Sequence, residues 1–107
     1  MDLSRQHEPV SKLFNSPQAP GEWQGYALSR EQVQSYEENG FLPGIQVLDS
    51  LQLEQLRDEL NKVIDPGHPD NSLFYEFHLN EAEDEGKVLF HALGAWQLEP
   101  ALHDLPW

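Results

Sequence analysis

Two phrases built alike bound what this chain can fold into: LSREQVQSYEENG at residues 28–40 and LDSLQLEQLRDEL at residues 48–60. Each sets a leucine before a short polar residue, with a glutamine three positions further on. Ser29 and Asp49 then serve as N-caps, and Gln32 and Gln52 reach back to the cap's own N–H, closing a capping box. Leu28 with Val33, and Leu48 with Leu53, supply the accompanying hydrophobic staples. Helices over about 30–39 and 50–64 follow. Gly40 ends the first by taking the left-handed conformation, and Asp65-Pro66-Gly67 ends the second. Leu53, Leu56, Leu60 and Ile64 recur at helical spacing beside Val63, while Glu54, Asp58, Glu59 and Lys62 read as the wet side. Burying four such apolar side chains gains roughly 6–12 kcal/mol. Ordering two helices and their connection costs far more, so the pair needs a broad apolar surface to lie on.

The remaining segments are less regular. Residues 1–27 carry Pro9, Pro17, Pro20, Gly21 and Gly25, which interrupt every long periodic run; they read as an arm laid over a surface, mobile over its first ten residues. FLPGIQVL at 41–48 reads as a short extended segment, and Pro43, lacking an N–H, places it at an edge. PGHPDNS at 66–72 is a turn-rich loop. Phe74, Tyr75, Phe77 and Leu79 suggest a short aromatic strand, NEAEDEG at 80–86 a solvated loop, and KVLFHAL at 87–93 a strand or helix start. Pro100 in the first turn predicts a short helix over about 99–105.

Six basic residues face nineteen acidic ones in 107 residues, a formal charge of -13. Phosphate backbones and anionic lipid are repelled by such a chain, and Arg5, Lys12, Arg30, Arg57, Lys62 and Lys87 stand singly rather than as a patch. Nucleic-acid and membrane partners are therefore not expected. No cysteine is present, which fits a reducing compartment. The first residues, MDLSRQHEPVSKLF, lack the basic flank and apolar block of a secretory signal; a cytoplasmic location is expected.

The capping phrases together carry a family likeness. Leu28-Ser29-Arg30-Glu31-Gln32, Tyr36-Glu37-Glu38-Asn39-Gly40-Phe41-Leu42, Val47-Leu48 and Leu53-Glu54-Gln55-Leu56-Arg57 resemble the opening of phytanoyl-CoA dioxygenase-like proteins. The run Phe90-His91-Ala92-Leu93-Gly94-Ala95-Trp96, with Glu99-Pro100-Ala101-Leu102, is similar to the segment leading to their barrel. The likeness covers about residues 28–105, closely in its first half and loosely in its second. It implies an α+β fold: a helical support layer plus the first strands of a double-stranded β-helix, or jelly roll. It further implies a non-haem Fe(II) enzyme using 2-oxoglutarate to hydroxylate a small organic substrate. The iron would be held by a His-x-Asp pair and a distant histidine, a set that leaves coordination positions open. An eight-stranded jelly roll needs roughly 80 residues, and 43 follow Ile64. On this reading residues 28–107 are the incomplete N-terminal part of the oxygenase domain. The fragment alone is expected to be inactive, with Fe(II) and 2-oxoglutarate binding in the full-length protein.

His68-Pro69-Asp70 has the His-x-Asp spacing but sits in the loop leaving the second helix, so it reads as an ordinary polar turn and only a weak metal candidate. His91, Trp96 and Tyr75 are the candidates to line a substrate cleft, each with a plain packing role as the simpler alternative. His103 beside Asp104 reads as a surface or cap residue, and no catalytic residue is assigned. The partner implied is the missing C-terminal barrel or a second copy. The competing reading is a non-catalytic acidic module that dimerises or packs on a partner through its apolar helix faces; a third is a small acidic globular protein with a chance likeness.

Overall fold

The computed structural model describes every residue except Leu79 and Trp107; the Leu79 end of the expected aromatic strand thus lies outside the described residues. The chain is a mixed α+β protein. Helix α1 spans Arg30–Asn39, α2 Ser50–Val63 and α3 Pro100–Asp104; strands β1 (Glu76–His78) and β2 (His91–Leu93) form one two-stranded sheet. Two compact units are distinguished: Met1–Phe14 together with Ser50–Trp107, and Asn15–Asp49 between them in sequence. No helix of the described residues is long and apolar enough to cross a membrane.

In the Asn15–Asp49 unit, the α1 capping box forms as its residues dictate. Ser29 Oγ accepts from the Gln32 N–H at 3.2 Å, and Gln32 Oε1 accepts from the Ser29 N–H at 2.8 Å. Gly40 closes the helix in the left-handed conformation, its N–H donating to the Tyr36 carbonyl. The extended segment expected at 41–48 does not pair as a strand. Pro43 has no N–H to give a ladder, and Gly44 turns the backbone left-handed at φ 79°. No residue of this unit is buried, and the half-buried positions of α1 are Gln32 and Ser35. Val33 and Tyr36, about a quarter turn round the helix, remain 41% and 55% exposed.

The larger unit owns the core: Leu3, Leu13, Val63, Leu98 and Ala101 are buried. Helix α2 packs on α3, but not along its leucine stripe. The covered line is Gln52, Leu56, Glu59 and Val63, whereas Leu53 and Leu60 stay 38% and 42% exposed. Glu59, expected on the wet side, is buried instead. Its Oε2 accepts from the N–H groups of Ala101 at 2.7 Å and Leu102 at 3.2 Å. These are first-turn donors of α3, which has no partner for them within its own helix. A carboxylate there also complements the helix dipole. Lys62, expected to pair along α2, lies 3.4 Å from Glu99.

The sheet is short because its sequence is. Glu76, Phe77 and His78 pair antiparallel with Leu93, Ala92 and His91, and only 91–93 of the expected 87–93 run enters it. Phe77 packs between Phe74 and Phe90, ring centroids 4.8 and 5.4 Å away. Gly94 then turns the chain at φ 96° into the single turn Ala95–Gln97. A Cβ at Gly94 would stand 2.6 Å from Gln97 Nε2, and a side chain is strained in that conformation.

Two substitutions test this packing. Glu59→Ala strips the buried Ala101 N–H and the half-buried Leu102 N–H of their acceptor and is expected to cost about 1–3 kcal/mol in urea unfolding. Lys62→Ala, at an exposed ion pair, is expected to stay within about 1 kcal/mol of the parent. Equal losses from the two changes would refute the capping role of Glu59.

Candidate functional site

The densest polar chemistry lies where the first fourteen residues meet α3. Asp104 is 1% exposed and its carboxylate is fully used. Oδ1 accepts from the Val10 N–H at 2.8 Å and from His103 Nδ1 at 2.9 Å; Oδ2 accepts from the Ser11 N–H at 2.6 Å and Ser11 Oγ at 2.5 Å. Burial acts to raise the Asp104 pKa, but the hydrogen bonds from Ser11, His103 and Val10 outweigh it and leave it below the ordinary aspartate value. The His103 and Asp104 expected at the surface are therefore interior groups. The reason is that the N-terminal arm covers them: Leu3 donates its N–H to the Gln97 carbonyl at 2.9 Å, and Leu3 and Leu13 are among the most buried side chains. Where the sequence suggests a mobile start, the arm is anchored through residues 3–13.

Beside this junction opens a cleft of about 350 Å³, lined by Ser4, Gln6, His7, Trp96, His103 and Pro106. The Trp96 and His103 rings lie 6.2 Å apart. A histidine whose Nδ1 is held by a buried carboxylate has the form of a general base with its orienting partner. His103 Nε2 lies 3.4 Å from the Gln6 carbonyl, and the Asp104 carboxylate also holds the arm at Val10 and Ser11. The pair works as a clasp.

The residues singled out from sequence do not converge. Trp96 lines the cleft, but Tyr75 is 72% exposed and outside its lining. His91 lies on β2, its Nδ1 3.3 Å from Glu81 Oε2; Glu81 Oε1 is 3.7 Å from Nδ1 of His78, the cross-strand partner of His91. His68 and Asp70 are each engaged elsewhere. His68 Nδ1 accepts from the Asp70 N–H at 3.1 Å, its Nε2 lies 3.2 Å from Glu99 Oε1, and the Asp70 carboxylate pairs with the terminal ammonium of Met1. Among the described residues, no group of three or more such side chains is placed to hold a metal ion. The donors seen here thus do not fit the iron that the family likeness implies, and no step through it is assigned to them.

Asp104, Ser11 and Glu59 were not singled out by sequence. Their only signal was the pairing of capping-type residues with donor-rich ends far away in the chain. Comparison with known proteins finds no matching family model, no matching curated protein and no matching solved structure.

The Asp104 clasp sets an acid limit. Its carboxylate has a lower pKa folded than unfolded, so its contribution is complete above the unfolded value, about 3.9. It is lost as pH falls from there through the folded value. Asp104→Asn is expected to remove about 2 kcal/mol at neutral pH, because it removes the buried charge and turns an NH2 group toward donors that the carboxylate accepted. It should also flatten the loss of stability below about pH 4. Amide exchange at Val10 and Ser11 provides the local readout. Unchanged protection of those two amides in the variant would contradict the clasp.

Proposed function

We propose that this chain is the helical support layer of a cytoplasmic, non-haem iron, 2-oxoglutarate-dependent oxygenase, whose jelly-roll barrel and metal ligands belong to polypeptide beyond these residues. One observation carries the reading. In both α1 and α2 the apolar stripe lies about a quarter turn away from the side already covered, leaving Val33 and Tyr36 exposed on one helix and Leu53 and Leu60 on the other. Each such side chain gains about 1.5–3 kcal/mol when fully buried, and a barrel wall is a surface broad enough to bury them. The resemblance of residues 28–57 to the opening of phytanoyl-CoA dioxygenase-like proteins implies that this surface is a jelly-roll barrel. The chain's own part is packing: α1 and α2 present stripes, while the iron would supply oxygen activation and the missing residues would bind 2-oxoglutarate and the substrate.

An antibody raised against this chain tests the reading on the native protein. The immunopurified polypeptide is expected to be heavier than 12.3 kDa. Mixed anaerobically with Fe(II) and 2-oxoglutarate, it is expected to develop visible charge-transfer absorption. The 107-residue chain in the same titration is expected to remain colourless. A native species of 12.3 kDa with no absorption would overturn the proposal in favour of an interaction module. A stoichiometric band from the short chain would instead place a metal site within these residues.

A further inference from the structure

We propose that the cleft beside α3 binds a small, uncharged, planar aromatic molecule: a single ring bearing a hydroxyl or an amide. Three separate pieces of chain build it. The arm supplies Ser4, Gln6 and His7, the turn Ala95–Gln97 supplies Trp96, and His103 of α3 is joined by Pro106 just beyond the helix. The wall made by the arm is fixed at both ends. Leu3 donates its N–H to the Gln97 carbonyl at 2.9 Å, Gln6 donates its N–H back to the Leu3 carbonyl at 2.9 Å, and Val10 and Ser11 are held by Asp104. His103 is 2% exposed, and its ring is set by Asp104. The cleft is therefore formed before anything enters it, and a ligand need not order its walls.

Size, shape and charge select the class. At about 350 Å³ the cleft stands at the small end of ligand sites, which span roughly 300–1,000 Å³, with room for one substituted ring. Trp96 and His103 set two aromatic rings 6.2 Å apart at 44°. Trp96 keeps 38% of its surface open although the next two residues, Gln97 and Leu98, are buried. An open indole is complemented by a flat π-system placed offset or edge-on, at centroid distances of roughly 4.5–7 Å; a saturated ring gains no such contact. The hydroxyl of Ser4, the amide of Gln6 and the imidazole of His7 bring donors and acceptors for a polar substituent. Among the described residues that line the cleft there is no Asp, Glu, Lys or Arg. An ionised ligand would lose its water there without meeting a counter-charge, and the formal charge of -13 further repels an anion.

Three one-ring probes test this on the intact, isotope-labelled chain: phenol, cyclohexanol as its saturated counterpart, and benzoate as a planar anion. Phenol is expected to shift the Trp96 indole N–H resonance saturably, with a midpoint at about millimolar concentration, as so few atoms allow. Cyclohexanol and benzoate are each expected to bind at least about threefold more weakly. Trp23, 60% exposed, is the internal control and is expected not to follow the same curve. Trp96→Leu, its fold checked by circular dichroism, is expected to weaken phenol at least about threefold, followed through the Ser4 and His7 amides. Equal binding of phenol and cyclohexanol would reduce the cleft to an apolar hollow without chemical preference and overturn the inference. So would benzoate binding as well as phenol, no shift at Trp96, a Trp23 response that matches it, or indifference of phenol to Trp96→Leu. Should that variant not fold, the probe comparison and the Trp23 control on the parent chain still decide. The barrel reading is tested by mass and iron absorption, so either proposal can fail alone.

Discussion

One carboxylate organises the larger unit. Asp104 gathers two main-chain N–H groups, a hydroxyl and an imidazole around its two oxygens, and in doing so ties residues 10 and 11 to the last helix. A buried carboxylate is expensive unless its lone pairs are met, and here they are met by a segment that has no regular structure of its own. The arm is ordered because the charge needs it, and the charge is tolerable because the arm is there. The small core of Leu3, Leu13, Val63, Leu98 and Ala101 closes around that mutual dependence.

Glu59 repeats the principle on a smaller scale. The N-cap of α3, Glu99, makes no side-chain cap, and the helix's first-turn donors are met by a side chain reaching across from α2. The larger unit is thus held in part by acidic groups facing inward, Asp104 and Glu59 being buried. The Asn15–Asp49 unit has no equivalent. None of its residues is buried, and Trp23, Tyr26, Val33, Tyr36 and Phe41 stay exposed.

The local elements were legible where chemistry is local. The Ser29 and Gln32 capping box, the Gly40 stop and the short helix after Glu99 all follow from residues within a few positions of one another. The direction in which α2 faces was not legible. A leucine stripe says which side prefers burial, but Glu59 is drawn inward by donors on α3 that no helical wheel contains. No strand forms at 41–48, where Pro43 lacks the N–H of a ladder and Gly44 turns the backbone left-handed. The candidate site was the least legible part. The sequence read His68 as a weak metal candidate, His91 as a cleft-lining one and His103 as a surface or cap residue, and folding ties the first to Glu99, the second to Glu81 and the third to Asp104.

The neck of the Asn15–Asp49 unit carries a consequence for how the sequence can change. Within the larger unit the Gln52 amide donates to the Leu13 carbonyl at 2.7 Å, so the Asn15–Asp49 segment leaves and re-enters that unit at neighbouring points. To the rest of the protein it is a closed loop, and doubling the length of such a loop costs only about 0.6 kcal/mol of closure entropy. Its length and contents can therefore drift with little penalty to the scaffold that displays them, as long as the gate formed by residues 13 and 52 still shuts.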